Sequence, residues 1–118
     1  MVPTLRSIAD EAELAEVLAA PIALLYKHSP ICPTSSMAYE QIRALRQQRD
    51  VPVFLVDVVG SRPLSRRIAE RVGVIHASPQ VIFLQAGVAA WYASHFEVEV
   101  ETMVRALDRL RTGEPRPG

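Results

Sequence analysis

Two apolar runs dominate the front half of the chain, IALLYKH at 22–28 and VPVFLVDVV at 51–59. Both are aliphatic or β-branched and lack polar alternation, which suits strands buried on both faces. Between them Met37, Ile42 and Leu45 recur at helical spacing, with Arg43, Arg46, Gln47 and Arg49 on the wet side. A strand–helix–strand unit of this kind makes its two strands parallel. Helices then have to cover both faces of the sheet, and an α/β fold follows.

The remaining segments extend that pattern. From Ile8 to Ala19, the residues Ile8, Ala12, Ala15 and Ala19 fall at helical spacing, and Glu11, Glu13 and Glu16 supply the polar side. Ser7 or Asp10 is the candidate cap, and Pro21 ends the helix. LSRRIAERVG at 64–73 is a further helix with Gly73 as its stop. Apolar runs at 80–84 and 88–93 flank Gln85-Ala86-Gly87, a hairpin turn, so two antiparallel strands are expected there. VEVETMVRALDRLR at 98–111 reads as a last helix, and TGEPRPG as a frayed tail. The expected architecture is a mixed central sheet of four strands flanked by helices on both faces, with Thr4–Arg6 as a candidate short fifth strand. Thioredoxin-like folds share this order with other small α/β folds. A chain of 118 residues fits one domain, here 1–111, followed by a flexible tail at 112–118.

Charge narrows the function classes. Lys plus Arg and Asp plus Glu number 13 each, unlike the basic footprint of a general nucleic-acid binder. No apolar run approaches the ~18 residues of a membrane span. The N-terminal stretch is amphipathic and acidic, unlike a signal or transit peptide. A cytoplasmic location is therefore expected, with neither nucleic acid nor membrane as partner. One cysteine excludes an intramolecular disulfide, and a reducing cytosol keeps such a thiol free.

That cysteine, Cys32, stands in HSPICPTSS between a strand and a helix that can begin at Pro33. Proline is favoured at a first helical position, which makes Cys32 the N-cap. Its sulfur then faces the free N–H groups and positive end of the helix, both of which favour thiolate. The hydroxyls of Thr34 and Ser35 are close enough in sequence to donate to it. A Cys-x-x-Cys site would carry its second thiol at position 35, where this chain has Ser35. Cys32 can thus attack a disulfide, but another molecule's thiol has to resolve the product. The bland alternative is an inert buried cysteine; the proline and the strand-to-helix junction favour a reactive one.

HASPQVIF places Pro79 at a strand start, after Ser78. In thioredoxin-like folds a proline so placed is cis and lies opposite the nucleophile, leaving the preceding backbone to pair with an extended client. His28 is a candidate to tune Cys32, or else a solvent-facing loop residue. His28, His76 and His95 with Cys32 lack the paired spacing of a zinc site, so no metal is expected. Arg62, Arg66, Arg67 and Arg71 read as a solvated helix face, part of which could attract an anionic thiol cofactor. Met37 and Tyr39 are expected to pack.

The combination of YKHSPICPTSSMA, VDVVGSRPLSRRIAERVGVIHASPQVIFL and ASHFEV resembles the thioredoxin-like family of the bacillithiol system, the monothiol bacilliredoxins, from about Leu24 to Val98. The resemblance joins a His-Ser-x-x-Cys-Pro-x-Ser site to a His-x-Ser-Pro-Gln strand start and an Ala-Ser-His turn. It implies a thioredoxin fold with Cys32 as nucleophile, Ser35 in place of a resolving cysteine and Pro79 as the cis-proline. The implied activity is removal of bacillithiol from mixed disulfides on cytosolic bacterial proteins. Its partners would be S-bacillithiolated clients and bacillithiol as co-substrate, with no tightly bound cofactor, in a monomer or weak homodimer. Two other uses of the fold stay open: an iron–sulfur carrier of the monothiol-glutaredoxin kind, and a non-catalytic interaction module with a silent cysteine.

Overall fold

A computed structural model describes residues 5–113. In chain order the elements are β1 (Leu5–Ser7), α1 (Glu11–Ala19), β2 (Ile22–His28), α2 (Pro33–Gln48), β3 (Val53–Asp57), α3 (Arg62–Val72), β4 (Gln80–Gln85), β5 (Val88–Ser94), a 3-10 turn (His95–Glu97) and α4 (Val100–Thr112). The five strands form one sheet in the order β1-β3-β2-β4-β5. β1, β3 and β2 run parallel, and β4 and β5 add the antiparallel hairpin. The short fifth strand is present as Leu5–Ser7; Thr4 lies outside the described residues.

Pleating divides the core in two. Leu24 and Tyr26 of β2 face α2 and α4, packing with Ile42, Leu45, Phe83, Met103 and Leu107. Leu25, their neighbour in sequence, faces α1 and α3 with Val17, Ile68, Ile82 and Leu84. Strand residues alternate between faces, so each side of β2 feeds its own apolar layer.

Several boundaries differ from the sequence reading, each for a local reason. α1 begins at Glu11, because Asp10 caps it with Oδ1 accepting the Glu13 amide at 2.8 Å. Ile8 lies before the helix and is buried, its N–H donating to the Leu55 carbonyl at 2.9 Å. The run at 51–59 yields a strand of only five residues. Pro52 brings no N–H to its start, and at its end Asp57 Oδ1 accepts the amides of Val59 and Gly60 and turns the chain. α3 starts at Arg62, two residues early, and ends as expected at Gly73 with φ +70. Ala86 and Gly87 form the hairpin turn with φ of 50 and 81, conformations costly for alanine and free for glycine. Thr112 and Gly113 belong to the end of α4 rather than to a tail, Gly113 being its left-handed cap; positions 114–118 lie outside the described residues. Met37, expected to pack, is 59% exposed on α2, whereas Tyr39 packs against the core.

Candidate active site at the start of α2

β2 delivers the chain to the site at His28, and three loop residues later Cys32 caps α2 with Pro33 as its first residue. The loop is held by its own polar groups. The Cys32 amide donates to the Ser29 carbonyl at 3.3 Å, and the Ser29 amide donates to Ser35 Oγ at 3.1 Å. Val58 N–H donates to the His28 carbonyl at 3.0 Å, tying the loop after β3 to the one after β2. Pro33 is exposed, Cys32 and Thr34 are half-buried, and Ser35 is fully buried.

Sγ closes no cap hydrogen bond of ordinary geometry, since the Ser35 amide already donates to the Cys32 carbonyl at 3.0 Å. The thiol is nonetheless lowered, first by the amide of Ser35 and then by that of Thr34, with the hydroxyls of Thr34 and Ser35 adding to them against the opposing effect of burial. Ser35 can contribute because its oxygen accepts from Ser29, leaving its hydroxyl hydrogen for the sulfur. Serine at position 35 is therefore a support for the thiolate as well as a missing thiol.

Two residues invisible to the sequence reading organise the strand end. The Tyr26 hydroxyl lies 2.6 Å from His28 Nδ1 and 2.9 Å from the Ser35 carbonyl. A carbonyl can only accept, so tyrosine donates to Ser35 and His28 donates from Nδ1 to tyrosine. Burial raises the Tyr26 phenol, and the nearby charges of Tyr39 and Cys32 raise it further, which keeps that donor protonated. His28 is thus the half-buried last residue of β2 rather than a loop residue, and it reaches the first turn of α2 through Tyr26. Burial lowers its pKa, with Asp57 partly opposing. On the other face Lys27 is fully buried, with Nζ 3.1 Å from His76 Nδ1. The only sequence signal for either residue was a polar head inside a buried strand, where a partner becomes obligatory.

Opposite Lys27 in the ladder stands Gln80, so Ser78 and Pro79 enter at the same sheet end as His28. The Ser78–Pro79 peptide bond is cis. The Pro79 carbonyl accepts the amide of His95, whose φ of 55 turns the chain sharply out of β5. Ser78 Oγ is buried without a hydrogen-bond partner in the protein. Three loops therefore meet at this end, and each carries an exposed apolar side chain: Ile31 (80%), Ile75 (90%) and Phe96 (71%). Phe96 also lines a groove of about 300 Å³ with Thr34, Met37, Gln41 and His95. The three histidines are not gathered on Cys32, and among the described residues no group of three or more His, Cys, Asp or Glu could hold a metal ion.

The sequence pattern of one family, monothiol bacilliredoxin BrxC, matches residues 4–103. The chain belongs to the monothiol bacilliredoxin family. Solved structures place the chain among thioredoxin folds. A candidate oxidoreductase with a thioredoxin fold is 27% identical, with a TM-score of 0.82 over 87% of this chain and 94% of that one. A point mutant of the thioredoxin from Halobacterium salinarum NRC-1 is 17% identical, TM-score 0.73, over 99% and 98%. A thioredoxin from Trypanosoma brucei brucei is 9% identical, TM-score 0.76, over 95% of each chain. Family and fold together make the chain a thiol oxidoreductase of the thioredoxin class with a single cysteine.

Proposed function

We propose that this protein removes bacillithiol from mixed disulfides on cytoplasmic proteins, with Cys32 as the nucleophile. The observation that carries the reading is a half-exposed, lowered thiol at the N-cap of α2 in a chain with no second cysteine. In the first step the Cys32 thiolate attacks the bacillithiol sulfur of the client disulfide. The new bond joins Sγ to bacillithiol, the old S–S bond breaks, and the client leaves as a thiolate that takes a proton from water. A second bacillithiol thiolate then attacks the bacillithiol sulfur bound to Cys32. Oxidised bacillithiol departs and Cys32 returns as thiolate, so the reductant is the second bacillithiol, whose sulfur is oxidised as the client sulfur is reduced.

The surroundings support this division of labour. Ile31, Ile75 and Phe96 form an apolar rim suited to a protein client. Thr34 and Ser35 stabilise the attacking and later the leaving Cys32 thiolate. Pro33 holds the turn, His28 braces it through Tyr26, and Ser78 and Pro79, at the same sheet end, are where client backbone would pair. Intact-mass spectrometry after incubation with an S-bacillithiolated client tests the reading. The expected result is one bacillithiol adduct on the chain, absent in Cys32→Ser, with the client thiol released. Equal release by Cys32→Ser would overturn it.

A further inference from the structure

A second cavity of about 300 Å³ opens at the start of α3, walled by Val58, Val59, Arg62, Ser65, Arg66 and His76. Its lining carries two guanidinium groups and an imidazole and no carboxylate. Arg6, Arg43, Arg49 and Arg67 each pair with an acidic side chain; among the described residues Arg62 and Arg66 do not. Ser61 makes no side-chain cap bond, so the first turn of α3 adds its free amides and positive dipole end to the same place. The acid at the entrance to this loop, Asp57, has Oδ1 turned to the amides of Val59 and Gly60 at 2.9 and 3.0 Å. Uncompensated cations around a cavity make an anion site.

His76, exposed on the cavity wall, is held from beneath by buried groups. His76 Nδ1 lies 3.1 Å from Nζ of the fully buried Lys27 and 3.1 Å from Ser65 Oγ. An ammonium only donates, so Nδ1 accepts and the ring hydrogen sits on Nε2, its remaining donor. Burial, then the charges of Lys27 and Arg66, hold His76 below the usual imidazole range, in keeping with a neutral donor. The cavity opens at the same end of the sheet as Cys32. Val58 in its wall is bonded to His28, and His76 precedes Ser78 by two positions on the loop into β4.

We propose that this cavity binds the two carboxylates of the malate end of bacillithiol, with Arg62 and Arg66 as ligands and His76, held by Lys27, as a neutral donor. The inference rests on the bacillithiol reading above and adds what that reading lacks, a means of choosing between the two sulfurs of a mixed disulfide. A bacillithiol moiety anchored by its carboxylates presents its own sulfur to Cys32 and makes the client the leaving group. Planar guanidinium forks suit two carboxylates, which a neutral thiol does not offer.

The test compares wild type with Arg62→Gln/Arg66→Gln, both positions being exposed or partly exposed side chains. Malate, which has no sulfur, is titrated while backbone amide shifts are followed. Separately, release of the client thiol is timed from a client carrying bacillithiol and from the same client carrying uncharged 2-mercaptoethanol. Wild type should show saturable malate shifts at positions 62, 66 and 76 that the double variant loses. Its release of the bacillithiol-bearing client should be about 10-fold faster than the variant's, with the mercaptoethanol-bearing client released at the same rate by both. No malate shifts at these positions in wild type, or equal slowing with both clients, overturns the site even if bacillithiol exchange itself stands. Malate binding at Arg62 and Arg66 in a protein that never accepts bacillithiol would support the anion site and overturn both its assignment to bacillithiol and the proposed function.

Discussion

Replacing Lys27 by methionine should stabilise the fold at neutral pH and progressively lose that advantage in alkali. Lys27 is fully buried, and burial pulls its pKa from the usual 10.5 down to about 8. At 1.36 kcal/mol per pH unit that gap corresponds to ~3 kcal/mol for holding the charged amine inside, an upper bound because solvent and neighbours relax around it. Methionine keeps the unbranched stem but forfeits the bond to His76, worth ~1 kcal/mol. The net gain at pH 7 is then ~1–2 kcal/mol, or ~4–8 °C at an unfolding entropy of ~2 cal/mol/K per residue. Because the folded pKa lies below the unfolded one, the unfolded chain binds more protons between about pH 8 and 10.5. Wild-type stability therefore rises relative to the variant across that window, and the gap closes. Urea melts of both proteins from pH 6.5 to 10.5 measure the difference directly, and other titrating groups cancel in it. A variant less stable than wild type at pH 7, or a difference flat across the window, would refute the reasoning.

Alkylation of Cys32 against pH should show an inflection below the ~8.5 of a free thiol, and Thr34→Val should move it upward. Ser35→Cys should form an intramolecular disulfide under mild oxidant and release a bound adduct without added thiol, at a stability loss of ~1 kcal/mol for the Ser29 amide bond it weakens, read by thermal melts. Tyr26→Phe should destabilise by ~1–2 kcal/mol, since it removes both the donor to the Ser35 carbonyl and the acceptor for His28; an unchanged melting temperature would contradict the network. Anaerobic reconstitution with iron and sulfide should leave the protein colourless by visible absorption, and a stable chromophore would instead favour the iron–sulfur carrier.

The thioredoxin-like order and the cap position of Cys32 were legible because both are local. Pro33 fixes a helix start, and IALLYKH is apolar enough to be buried on any reading of its faces. What depends on a partner distant in sequence was not. Nothing near Lys27 announces His76, 49 residues away, and the phenol of Tyr26 reads as one more apolar residue until the carbonyl of Ser35 is folded over it. Met37 shows the converse limit. It reads as one more apolar position of the helix, but the buried face runs through Ser35, Ala38, Ile42 and Leu45, and Met37, about 100° round from Ala38, is left in the groove beside Thr34. The arginines of α3 read as one solvated face, and only the fold separates Arg67, paired with Glu11, from Arg62 and Arg66 on the cavity.

Consecutive residues of β2 send their polar heads to opposite sides of the sheet: Tyr26 and His28 towards α2, Lys27 towards α3 and His76. The two sets share a strand and no hydrogen bond with one another. Inheritance can therefore act on them separately. A lineage could trade Lys27, His76 and the α3 arginines to accept a different small thiol while the turn that makes Cys32 reactive stays as it is. Conversely, drift around Tyr26 could retune the sulfur without changing which small thiol is admitted.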